Sequence, residues 1–428
     1  MNNRLVSLFV LTGALLVAAL ISLNGEMVWL VVPFLAYLGV GILRTPAADG
    51  IRLEAARAVE QVDGPGQQRV QVTVTARNLG AAALEQVGLV DQPQAGARVV
   101  DGGMQQWQAL AAGEESTLRY QFQSRRGLFA WQTVRAVVCD PLGIVETRLE
   151  LPAEAVAQVY PEMIRFQSLP VRPQRTLHLA GSVPARAGGS GTDFWGIREY
   201  QPGDPLRRLD WHHAARHPGR RYTREFEQEE IAEIGLIVDA RQATDLRVGE
   251  DSLVEHSIGA AASLAEVFLR QGNRVSLLVY GEPVISVYPG YGKGQLHKIL
   301  NTLTRVTTEA GSSLAGLHYL PVRMFSSRSI ILIISPLAAG DWRLFPRLRA
   351  HGYQTILISP DPVDFARQSL PDDEPSRLAI RLTQVERRLE IQRISRLWVP
   401  VIDWKVKQPL PPLVRGALTY SHLQRRGA

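Results

Sequence analysis

The stretch IAEIGLIVD, Ile231 to Asp239, is apolar throughout Ile234–Val238 and ends on a carboxylate. A strand with one wet face alternates apolar and polar residues. A continuous Val/Ile/Leu run is instead the pattern of a strand covered on both faces, as in a parallel sheet between helices. The chain downstream keeps that rhythm. Helical spacing runs from Leu253 to Arg270, and Arg274–Tyr280 reads as a strand with Pro283–Tyr288 as its hairpin partner. A helix follows over Gln295–Val306, a strand at Ser329–Ile334, a helix at Trp342–Ala350 and a strand at Thr355–Ser359, with Val399–Val406 as a late strand. Strands alternating with helices predict an α/β domain over residues 229–410, followed by a solvated basic tail over 411–428 that ends Gln424-Arg425-Arg426.

Upstream the period changes to two. Val70 to Thr75 and Thr117 to Phe122 alternate, Thr133 to Val138 adds a strand, and Asn78-Leu79-Gly80 turns the chain. Short strands between such turns predict an antiparallel β-sandwich of the immunoglobulin or fibronectin kind over residues 51–155. Residues 156–228 read as a linker and signature segment, its first part rich in Pro, Arg and Gly. At the start, Leu5–Leu23 and Met27–Leu43 are charge-free apolar runs separated by Asn24-Gly25-Glu26. Their lengths approach the ~20 residues of a membrane-crossing helix, so residues 1–45 are expected to form a transmembrane helical hairpin. A cleaved signal peptide explains only the first run. Arg4 and Arg44 flank the pair, which by the positive-inside rule puts both termini in the cytoplasm of a cell membrane.

The net charge of +6 is a mild excess for 428 residues and does not by itself indicate a polyanionic partner. With one cysteine, Cys139 in the apolar run AVVCD, no internal disulfide can form, and the thiol reads as a small buried hydrophobe.

Chemistry-bearing residues concentrate in GTDFWGIREYQPGDPLRRLDWHHAAR, Gly191 to Arg216. Asp204, Asp210, His212 and His213 are of the types that bind transition metals or run hydrolysis. Adjacent histidines diverge on any regular backbone, however, and Arg207, Arg208 and Arg216 oppose a cation. No GxSxG elbow seats a serine nucleophile, and Gly290 to Gly294 lacks phosphate-loop spacing. Arg216, Arg220, Arg221 and Arg224 with Trp211 and Tyr222 could grip nucleic acid, but Glu225, Glu227, Glu229 and Glu230 follow directly and favour internal pairing. The reading that accounts for most residues is structural. Pro202-Gly203-Asp204 makes a turn, arginine forks pair with Asp204 and Asp210, and Trp211 anchors the segment, leaving a docking face.

The pattern Arg198-Glu199-Tyr200-x-Pro202-Gly203-Asp204-x-x-Arg207-x-x-Asp210-Trp211, followed by Ala215-Arg216, resembles the signature of the bacterial family called domain of unknown function 58. Arg126-Gly127-Leu128-Phe129, Asp140-Pro141-Leu142-Gly143 and Val159-Tyr160-Pro161 resemble its flanking elements. His212 and Ala214 depart from it, standing where a basic residue and a hydroxyl residue are common.

The resemblance implies that the α/β domain is similar to a von Willebrand factor A domain, a Rossmann-type fold that often holds Mg²⁺ through Asp-x-Ser-x-Ser. Here Asp239-Ala240-Arg241-Gln242-Ala243 keeps the aspartate but loses both serines, Ser312 or Ser313 could stand for the family's threonine, and no aspartate follows Ser335-Pro336 until Asp341. A degenerate, metal-free site with Arg241 paired to Asp239 is expected, and no cofactor. The resemblance further implies a membrane-anchored, non-enzymatic adaptor or scaffold. Its partners would be an AAA+ ATPase of the MoxR type, other membrane or envelope proteins and the lipid bilayer, with no nucleic acid. The alternative is a cation-dependent hydrolase using Asp204, Asp210 and His212 or His213.

Overall fold

The computed structural model describes residues 3–22, 25–44, 50–64, 67–94, 96–140, 146–171, 177–217, 219–281, 283–308, 324–326 and 329–423. The chain divides into two units, Met1–Tyr160 and Pro161–Ala428.

The first unit opens with helices α1 (Asn3–Ser22) and α2 (Gly25–Arg44). The expectation that these form a transmembrane hairpin is corrected: among the described residues no helix is long and apolar enough to cross a membrane. Asn3 and Arg4 open α1, while Gly25, Glu26 and Arg44 terminate α2. At these ends polar and charged residues interrupt the apolar runs within the described helices. The expected cell-membrane location, with two spans and cytoplasmic termini, falls with it.

Among the described residues eight strands follow: β1 (Leu53–Gly64), β2 (Gln67–Asn78), β3 (Leu84–Val90), β4 (Arg98–Gly102), β5 (Gln105–Leu110), β6 (Glu115–Gln123), β7 (Gly127–Cys139) and β8 (Glu146–Val159). They make two four-stranded antiparallel sheets, β1-β2-β6-β4 and β5-β3-β7-β8. The alternation read from the sequence is the burial pattern. Val70, Val72, Val74 and Ala76 turn inward with Leu118, Tyr120 and Phe122, and meet Phe129, Trp131 and Leu151 of the other sheet in one core. β8 carries the sandwich to Val159, beyond the expected end at 155.

In the second unit, residues expected to be linker are partly core. Phe166, Leu169 and Val171 are buried. The Ile164 N–H donates to Ser263 Oγ at 2.8 Å, and Gln271 Nε2 donates to the Leu169 carbonyl at 2.9 Å. β9 (Leu177–Glu199) and β10 (Tyr222–Ile231) then form an antiparallel ribbon interrupted by register shifts, with helix α3 (Trp211–Arg216) between them.

The α/β sheet contains β11 (Glu233–Asp239), β14 (Arg274–Tyr280), β15 (Ile285–Gly290), β16 (Ile330–Ile334), β17 (Gln354–Pro360) and β18 (Val401–Trp404). A two-residue pair, β12 (Arg247–Val248) and β13 (Asp251–Ser252), lies outside it. The order in space is β15-β14-β11-β16-β17-β18, all parallel except the edge strand β15. That is the doubly wound order, and the chain changes sides between β11 and β16.

The helices are α4 (Leu253–Arg270), α5 (Gly292–Thr304), α6 (Leu344–Ala350), α7 (Pro362–Ala366), α8 (Glu374–Ser395) and α9 (Leu410–Leu423). Helix α4 begins at Ser252, whose hydroxyl accepts from the Val254 and Glu255 N–H groups. It is buried almost all round, and its Gly259 admits the Glu162 carbonyl to 2.8 Å of where a Cβ would sit. On one face of the sheet Ile237, Leu278, Ile331, Ile333 and Leu357 pack with Leu344, Phe345 and Leu348 of α6 and Ile394 of α8. The tail expected over 411–428 is instead largely helical: α9 buries Leu410, Val414 and Leu418.

Candidate functional site

Two polar clusters emerge. The first is built on the ribbon and α3. Gly203 at φ +110° lets the chain turn back. Asp204 then receives a fork from Arg198, with Nη1 and Nη2 each 2.8 Å from a carboxylate oxygen. The Gln201 N–H (2.9 Å) and Thr223 hydroxyl (3.2 Å) also donate to Asp204. The Arg198 fork, followed by the Gln201 N–H, holds the Asp204 carboxyl at about 2, below its usual 3.8. Arg198 also reaches Glu225 at 2.6 Å, and its own pKa rises through bonds to Asp204 and Glu225.

Asp210 caps α3. One of its oxygens accepts from the His212 and His213 N–H groups at 3.1 Å, while Arg224 lies 3.3 Å from the other. Those bonds, the His213 N–H foremost, lower its pKa.

The arginines that pair with Asp204 and Asp210 are not the two lying between them, Arg207 and Arg208, but Arg198 and Arg224 from the ribbon. Arg207 and Arg216 are exposed, and Trp211 is not an anchor, being 70% exposed; Leu206 is 66% exposed. Glu199 pairs with Arg220 in solvent at 3.0 Å, and the Tyr200 N–H donates to the Arg221 carbonyl at 2.8 Å. Pro202 sits in the exposed turn. The His213 ring stacks on His217 at 5.0 Å and meets Tyr222 edge-on at 4.7 Å. No group of three His, Cys, Asp or Glu that could hold a metal ion occurs among the described residues.

The second cluster lies at the carboxyl ends of β11 and β16, the switch point where open α/β sheets place their ligands. Asp239 ends β11, and Arg241 folds back onto it, Nε to Oδ1 at 2.8 Å and Nη2 to Oδ2 at 2.7 Å. Asp341, a hundred residues later, takes Nη2 at 2.7 Å and Nη1 at 3.3 Å. Ser335 Oγ donates to Asp239 at 2.7 Å, and the Ala338 N–H donates to Asp341 at 2.7 Å. Between these, Leu337 takes a positive φ of 67°, a conformation uncommon for a branched side chain. Asp239 and Asp341 are 0% exposed and Arg241 is 2% exposed. Burial pulls the guanidinium pKa down, but the two carboxylates outweigh it and the net shift is upward. The cluster therefore holds a permanent cation between two carboxylates, fixed by protein donors. Ser312 and Ser313 lie outside the described residues.

Sequence reasoning paired Arg241 with Asp239 but had Asp341 only as a distant aspartate. A third buried network, in the sandwich, went unnoticed. Arg57 reaches Asp91 at 2.7 Å, the Tyr120 hydroxyl donates to the same carboxylate at 2.9 Å, and burial followed by Asp91 raises the Tyr120 pKa. Its one legible signal was an arginine at an inward position of a period-two strand.

The curated protein "Uncharacterized protein YeaD" of Bacillus subtilis (strain 168) is 26% identical over 277 residues, covering 62% of this chain and 68% of that protein. Among solved structures, a FixG-related protein from Vibrio parahaemolyticus aligns at 12% identity and TM-score 0.16, covering 24% of this chain and 94% of that one. Beta-glucosidase 3B from Thermotoga neapolitana aligns at 13% and 0.12, covering 26% and 17%. At TM-scores this low neither fixes the fold. The family model described as "Protein of unknown function DUF58" matches residues 196–397, from the signature ribbon to the end of α8, so the chain carries a DUF58 region over that span.

Proposed function

We propose that the chain is a non-catalytic adaptor whose α/β unit acts as a von Willebrand factor A-like binding module. It works with an AAA+ ATPase of the MoxR type in assembling or remodelling a multiprotein complex. The observation that carries this reading is Arg241. Its guanidinium occupies the switch-point crevice and is bonded to Asp239 and Asp341, the carboxylates best placed to hold a cation. A fixed arginine neutralises those carboxylates without an exchangeable ligand and offers no open coordination position. The signature segment fits the same role, since Asp204 and Asp210 are spent on the latch and cap while Trp211 and Leu206 face solvent. Exposed tryptophan on a rigid mount is a common interaction anchor.

The test is recovery of the tagged full chain from its native cells with and without ATP, with metal content assayed on the same eluate. Co-recovery of an AAA+ ATPase that Trp211→Ala abolishes supports the adaptor. Stoichiometric bound metal, no ATPase, and a hydrolytic turnover lost in Asp210→Asn would replace it with the hydrolase.

A further inference from the structure

We infer that α8 is a docking helix for an acidic amphipathic helix of a protein partner. This surface stands apart from the signature segment and does not depend on the ATPase reading. Helix α8 is 22 residues long, about 33 Å, yet Ile394 is its one fully buried residue. Leu378, Leu382, Val385 and Leu389 are 58%, 59%, 54% and 48% exposed. Their spacing of four, three and four residues is that of a coiled-coil seam, and a continuous exposed apolar row of this kind marks an interaction surface.

The helix is firmly mounted. Asp373 caps it by accepting the Ser376 N–H at 2.9 Å. Arg387, on the opposite side from the apolar row, bonds Asp403 at 2.6 Å, the Pro336 carbonyl at 3.0 Å and the Ser359 carbonyl at 3.1 Å. Arg393 lies 5.9 Å from the Trp342 ring, next to Asp341. Solvent-facing leucines on so fixed a helix present a preformed groove-filling edge.

The flanking charges select the occupant. With the four apolar residues as the seam, Arg381 and Arg388 line one side, and Glu386 and Arg393 the other. A second copy packed antiparallel sets Arg381 and Arg388 against the same arginines. Packed parallel, it gains Arg381 with Glu386 but sets Arg388 of one copy beside Arg393 of the other. Antiparallel packing also brings Glu386 to Arg393 on the other flank, so in either pairing two copies oppose like charges as often as they match unlike ones and gain nothing net. A helix with leucine at its seam and glutamate at its flanks pairs with Arg381 and Arg388 along one side, while Arg393 already holds Glu390 at 2.9 Å on its own helix.

The probe is a fluorescein-labelled helical peptide of about three heptads with leucine at the seam positions and glutamate at the flanks, titrated with the full chain by fluorescence anisotropy. The expected result is saturable binding, at least about tenfold weaker when the flanking glutamates are lysines, a difference of ~1.4 kcal/mol. Leu382→Gln with Leu389→Gln weakens it at least about tenfold without moving the melting transition, and Arg381→Glu with Arg388→Glu inverts the preference between the two peptides. Equal affinity for both peptides, or unchanged affinity in the leucine double variant, overturns the inference. It is equally overturned if the leucine double variant abolishes self-association seen by sedimentation, or abolishes binding to phosphatidylglycerol vesicles.

Discussion

Replacing Arg241 with methionine isolates the switch-point cluster. The substitution removes four side-chain hydrogen bonds, two to Asp239 and two to Asp341, and leaves two carboxylates with almost no solvent contact. Summing charge-assisted bonds at about 1.5–3 kcal/mol each overstates the loss, because desolvation of the three charged groups is recovered on unfolding. Breaking one side of a buried ion pair is the better guide, at about 3–5 kcal/mol. For a unit of this size that corresponds to a fall in Tm on the order of 10 °C. The assay is calorimetry of the full chain, in which the α/β transition shifts and the sandwich transition stays in place. Adding Asp239→Asn and Asp341→Asn to Arg241→Met removes the unpaired charge and should restore most of the lost stability, since neutral replacement of buried ion clusters is often close to costless. A single variant within ~1 kcal/mol of the parent, or a triple variant no better than the single, would refute the reasoning that charge compensation holds this crevice.

Other consequences follow from the same geometry. Asp91→Ala strands the buried Arg57 guanidinium in the sandwich and should cost about 3–5 kcal/mol, read by urea unfolding of that unit. Gly259→Ala puts a methyl against the Glu162 carbonyl, where the backbone rather than a flexible side chain must give. The expected penalty is ~1–3 kcal/mol, with faster amide exchange at Ile164. The Asp204 carboxyl titrates at about 2 in the folded chain against 3.8 ordinarily, so its contribution is complete above about 4 and lost as pH falls toward 2. The stability difference between parent and Asp204→Asn should accordingly close across that window in urea melts. Trp211→Ala removes an exposed ring and should leave stability within ~0.5 kcal/mol while abolishing ATPase co-recovery.

Periodicity by itself determined much of this protein. Alternation around Val70–Thr75 fixes which side chains face the sandwich core, because strand side chains point to opposite faces in turn. The apolar run Ile234–Val238 requires cover on both sides, and Leu253–Arg270 and Arg274–Tyr280 begin and end where their patterns do. Apolarity misled at the start of the chain, where a hydrophobic run gave helices but not spans. At the other extreme α8 escaped notice, since a helix whose apolar row faces solvent and whose inward side carries Arg387 has no core stripe to read.

Pairing was beyond local pattern. That Asp204 binds Arg198 rather than a neighbouring arginine follows from the register of β9 against β10, which sets Arg198 opposite Thr223. That Asp341 joins Asp239 and Arg241 follows from β16 lying beside β11, which carries the turn after Ser335 to the end of β11. Residue types and their periods depend on contacts a few positions apart and can be read along the chain. Which charges neutralise one another depends on strand order, and only the tertiary structure brings residues a hundred positions apart to within 3 Å.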